Sequence, residues 1–105
     1  MKILKDLIKK ADDTLEEVWE YTEMAHNLRA THKHLADTFI KIAETHIGIY
    51  AMLHEKMVAL IEEERSKNPD VPKVMMEMWE EKHKELIKEY AEVKYLIEEY
   101  KKMGY

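Results

Sequence analysis

Between residues 35 and 61 apolar or half-apolar side chains return at Ala36, Phe39, Ala43, His46, Tyr50, Leu53, Met57 and Leu60, in alternating steps of three and four. Steps of that size hold side chains on one face of an α-helix. A second row at Ile40, Ile47, His54 and Ile61 and a third at Leu35, Ile42 and Ile49 widen this face considerably. A face so wide must be covered on two sides, so the segment is expected to be the middle helix of a bundle.

The flanking segments repeat the pattern. Residues 3–29 carry Leu4, Leu7, Ile8, Ala11, Leu15, Val18, Trp19, Tyr21, Ala25 and Leu28 at helical spacing. Asp12-Asp13-Thr14 followed by Glu17 could form a capping box that starts a fresh helix near residue 14. The apolar phase runs unbroken from Ile8 through Ala11 to Leu15, which favours one helix with at most a kink. At residues 29–34 the seam fails, because Arg29 and His32 occupy positions where core residues belong. A turn is expected there. The alternative is one helix from residue 3 to 66, about 95 Å long, with half its apolar face bare unless a dimer covers it. Farther on, Pro69 ends a helix, Asp70 can cap the next, and Pro72 fits its first turn. A third seam follows at Met76, Trp79, His83, Leu86, Tyr90, Val93, Ile97 and Tyr100. The expected architecture is a single all-α domain over residues 1–105: an antiparallel three-helix bundle with helices at 3–29, 32–67 and 71–103.

Composition narrows the function. Two Gly and two Pro in 105 residues are too few for an ordinary sheet protein. The lack of Cys removes disulfides, thiolate metal sites and cysteine nucleophiles, and agrees with a cytoplasmic protein. The 22 acidic and 17 basic residues are interleaved, giving a net charge of −5 without a basic stripe. Direct nucleic-acid binding is therefore not expected, and the mixed signs disfavour a nucleic-acid mimic. The longest apolar stretch, residues 47–53, is too short to span a membrane, and the first residues lack the apolar core of a signal peptide. There is no glycine-rich phosphate loop, no nucleophile elbow and only one serine, Ser66. A non-enzyme without a cofactor is expected.

Two groups of residues could still carry chemistry. Among six histidines, His46 and His83 lie on predicted seams, and Glu80 precedes His83 at the three-residue spacing that places both on one helical face. His46, His83 and Glu80 are thus the candidate metal ligands. The reading preferred over a metal site is a pair of hydrogen-bonded core histidines. In the second group, Met75, Met76, Met78 and Trp79 crowd the start of the third helix and cover more of its circumference than a three-helix core can bury. Flexible Met beside a large aromatic ring suits an adaptable contact, so these four are the candidate partner-binding or dimer residues. Core filling is the competing explanation.

The stretch FIKIAETHIGIYAMLHE, with the earlier EEVWEYTEMA, resembles the ferritin and rubrerythrin-like bundles. Ala43, Tyr50 and Leu53 match that pattern on the second helix, and Tyr21 and Ala25 on the first. The ligands depart from it: His46 stands where the family has Glu, Ile49 where it has His, and Thr14 at the place of the first-helix Glu. The iron-binding bundle also uses four helices. The resemblance therefore implies a fold more than an oxidase. Tyr21-x-x-x-Ala25, Leu53-His54, Leu60-Ile61-Glu62-Glu63 and Val93-Lys94-x-Leu96-Ile97 are similar, in order and spacing, to small helical proteins of phages and prophages of gut Firmicutes. That similarity implies a phage accessory protein, a group that includes inhibitors of host defence nucleases such as anti-CRISPR proteins. The expected function is a binding module for another protein or for itself. Its rivals are a ferritin-like metal protein or oxidoreductase and a purely structural self-associating subunit.

Overall fold

A computed structural model describes residues 2–67 and 72–104, which form α1 (Lys2–Leu28), α2 (Lys33–Lys67) and α3 (Lys73–Lys102), with no strand among the described residues. The three helices make a bundle of 56 × 18 × 15 Å. Helix α1 passes through Asp12–Thr14 without interruption. Thr14 Oγ1 donates to the Lys10 carbonyl at 2.7 Å, and Thr22 Oγ1 likewise to Val18. A hydroxyl bonded back to its own preceding turn is not available to cap a new helix.

The first turn is made without Gly or Pro. The amides of Thr31 and His32 both donate to the Leu28 carbonyl, at 3.2 and 2.7 Å, and the His32 carbonyl accepts from Ala36 to begin α2. Tyr100, fully buried near the end of α3, pins this turn to the third helix. Its hydroxyl donates to Asp37 at 2.8 Å, its ring meets His26 edge-on, and the Arg29 guanidinium lies 5.7 Å from the ring centre. A hydrogen bond from Lys33, then one from Tyr100, holds the Asp37 carboxyl below the usual carboxylate range. At the start of α3, Pro72 occupies the capping position and its carbonyl accepts from Met75 and Met76. It therefore precedes the helix instead of lying in its first turn. The expected stop at Pro69 and cap at Asp70 fall outside the described residues.

The core follows a seven-residue repeat on every helix. Leu4, Ala11, Val18 and Ala25 are buried along α1, Ala36, Ala43, Tyr50 and Met57 along α2, and Trp79, Leu86, Val93 and Tyr100 along α3. Side-chain size then sets the spacing. Four fully buried alanines let α1 and α2 approach closely, whereas α2 and α3 are bridged by long side chains. Tyr50 stacks on Tyr90 with ring centres 5.3 Å apart, His54 lies on His83, and Arg65 reaches Glu80 at 2.6 Å. Thus α1, not α2, is the helix whose backbone comes near both others. The third apolar row of α2 turns outward at Leu35 and Ile49. So does Trp19, 43% exposed although its spacing placed it on the seam of α1.

Candidate functional site

The four residues at the start of α3 divide by position around the helix. Trp79 points into the core and is 9% exposed, Met75 and Met76 are half-buried against it, and Met78 is 62% exposed. Met75, Met78 and Trp79 join Ile8 of α1 to line a groove of about 550 Å³, rimmed by Lys2, Lys5 and Lys82. Met76 is not among its lining residues.

This groove is one end of a longer channel between α1 and α3. Steps of three and four carry one stripe of α3 through Met75, Met78, Lys82, Glu85, Glu89 and Glu92, and one of α1 through Lys5, Asp12, Glu16 and Trp19. The two stripes lie side by side. A middle section of about 200 Å³ is lined by Lys5, Lys9, Asp12, Lys82 and Glu85, among others. A far section of about 380 Å³ has Asp12, Glu16, Trp19, Glu89 and Glu92 around Leu15 and Val93. Both helices therefore change sign at the same height, α1 between Lys9 and Asp12 and α3 between Lys82 and Glu85. Lys9 pairs with Asp13 at 3.0 Å and Lys82 with Glu85 at 3.3 Å near that midpoint. Asp12 at the midpoint, and Lys2, Lys5, Glu16, Glu89 and Glu92 toward the ends, have no ion-pair partner among the described residues. Partial burial, then the neighbouring charges of Asp12, Glu85 and Glu92, push the Glu89 carboxyl above its ordinary range.

The candidate metal ligands are not brought together. His46 Nε2 lies 2.9 Å from Glu17, its Nδ1 is 3.0 Å from the Ile42 carbonyl, and Glu80 accepts from Arg65. His83 meets His54 instead, Nε2 to Nε2, at 2.8 Å. His46 is eight residues from His54, about 12 Å along α2, which explains why His83 and His46 have different neighbours. No group of three or more His, Asp or Glu among the described residues is placed to hold a metal ion. In the His54–His83 contact one ring donates its N–H to the lone pair of the other. Burial, then the facing His83, holds the His54 imidazole below its ordinary value. The pair adjoins a cleft of about 340 Å³ lined by Tyr50, Ala51, His54, Ile87 and Tyr90. Burial first, then Tyr90 and Glu89, pushes the Tyr50 hydroxyl up to about 12.

Two features of these surfaces were not singled out from spacing. The His54–His83 contact had a signal, since both residues lie on inward rows of their helices. The polarity of the α1–α3 channel was also present, as the order of Lys2, Lys5 and Lys9 before Asp12 and Glu16.

No family model, curated protein or solved structure matches the chain. No described helix is long and apolar enough to cross a membrane.

Proposed function

We propose that the chain is a non-enzymatic protein-binding module whose docking surface is the α1–α3 channel, with Met78 as its exposed apolar contact. The observation that carries this reading is the groove over Trp79: an apolar floor, an adaptable Met wall and a rim of lysines. Flexible thioethers around an aromatic anchor adapt to a partner's side chains, and rim charges select it. The reading takes the fold as an antiparallel bundle of ferritin-like flavour without the family's ligands, working in the cytoplasm and without a cofactor. Its narrower form, a phage accessory protein that blocks a host defence nuclease by occlusion, is supported by the likeness to small phage helical proteins.

The test is titration of dilute protein with a synthetic acidic amphipathic helix, followed by tryptophan fluorescence. Met78→Glu and Lys5→Glu change exposed positions, so helicity should persist while affinity falls by about tenfold or more. Absence of binding to the native chain, or equal affinity in both variants, would remove the lysine-rimmed groove as a docking surface. Met76 and Trp79 are poor choices for the same test, because a charge at either position would disturb the core.

A further inference from the structure

We propose that the occupant of the α1–α3 channel is a second copy of this chain, related by a two-fold axis that lies in the interface and crosses the helices at the level of Lys9 and Asp12. The proposal rests on the reading of the channel as a docking surface and names its partner. Its basis is the matched change of sign on two separate helices. The start of the channel presents Lys2, Lys5 and Lys82, and the far end presents Glu16, Glu89 and Glu92. A partner of uniform charge would be attracted at one end and repelled at the other. A second copy turned through the two-fold axis meets opposite charge at both ends, which is the self-complementarity that an isologous contact requires.

The register is specific. Lys5 and Glu16 stand at equal distances from the sign change on α1, and Lys82 and Glu89 stand at equal distances from the Glu85–Leu86 step that lines the middle section beside Lys9 and Asp12. In the dimer Lys5 of each copy therefore faces Glu16 of the other, and Lys82 faces Glu89. Trp19 falls opposite Lys2 of the other copy, where a cation can rest on the indole face. This assigns a partner to the exposed Trp19 and to the crowded carboxylates around Glu89. From Lys2 to Trp19 the stripe is about 25 Å long and two helices, about 20 Å, wide. Its area is then about 500 Å² per copy and about 1,000 Å² in all, at the lower edge of specific interfaces. The dimer should be reversible and sensitive to salt.

The experiment is sedimentation equilibrium of the full chain from about 5 to about 500 µM, at about 0.02 and about 0.5 M salt. The mass should rise above the 12.6 kDa of one chain with concentration and fall back in high salt. Lys5→Glu/Lys82→Glu leaves Lys2 and Lys9 as the channel's basic residues and makes it predominantly acidic, and Glu16→Lys/Glu89→Lys leaves Asp12, Glu85 and Glu92 as its acidic residues and makes it predominantly basic. Each variant alone should be monomeric and fully helical, and an equimolar mixture should restore the dimer. A native chain that stays monomeric throughout, or folded variants that fail to associate when mixed, would overturn the proposal. The acidic amphipathic peptide separates the two readings. A monomeric chain that still binds it keeps the docking groove and rejects the second copy, whereas a monomeric chain that does not bind it loses both.

Discussion

Helix α1 has two neighbours and treats them differently. Toward α2 it offers small buried side chains: Ala11 and Ala25 of α1 and Ala36 and Ala43 of α2 are fully buried, and the two backbones lie close together. Toward α3 it offers Lys5, Asp12, Glu16 and Trp19, which leave an open channel along the join. One contact is finished within the chain, while the other keeps long charged side chains that the fold does not neutralise. The difference separates stability from recognition: the alanine seam holds the bundle together, and the charged channel is left to select a partner.

The largest expected difference comes from placing a leucine on each side of α1, once in the closed seam and once in the open channel. Ala43→Leu forces extra methylene groups into the closed seam and should cost about 2–3 kcal/mol in urea denaturation. Glu16→Leu, in the open channel, should change stability by no more than about 0.5 kcal/mol. Similar losses from the two substitutions would mean that the channel is as tightly built as the seam.

The smaller effect concerns the side of the bundle where α2 meets α3. Burial and His83 depress the folded-state value of His54 below the ordinary 6.5. Below 6.5 the unfolded chain then takes up the proton more readily than the folded one, so stability is full above 6.5 and falls as pH drops toward the folded-state value. Melting temperature should decline between about pH 7.5 and about pH 5.5, and His54→Gln should flatten that decline. An unchanged slope in the variant would remove the histidine pair as its source.

Much of the helix layout is visible in the sequence, because period and punctuation are local properties. The alternation of three and four from Met76 to Tyr100 marks the inward face of α3, and the failure of the seam at Arg29 and His32 marks the first turn. What spacing does not supply is the rotation and height of one helix against another. His46 and His83 look equivalent on their own seams, yet His54 stands at the height of His83 and His46 stands two turns away. Trp19 follows Val18 by one residue, about 100° around the helix, and that rotation carries it from the core to the channel. Charge order gave a similar ambiguity. Lys5, Asp12 and Glu16 on one stripe describe any solvated helix face, and the stripe gains meaning when Lys82, Glu85 and Glu89 lie beside it in the same order.

The most direct test of the charged channel as an interface uses the absence of native Cys. Residue 12 stands beside the proposed two-fold axis, where the side chains of two copies face one another. Asp12→Cys should yield a disulfide-linked dimer under mild oxidation, while Met52→Cys, exposed on the far side of α2, should remain a monomer. Rapid linkage at position 12 alone is the result this account predicts. Linkage at neither position, or equally fast at both, would contradict it.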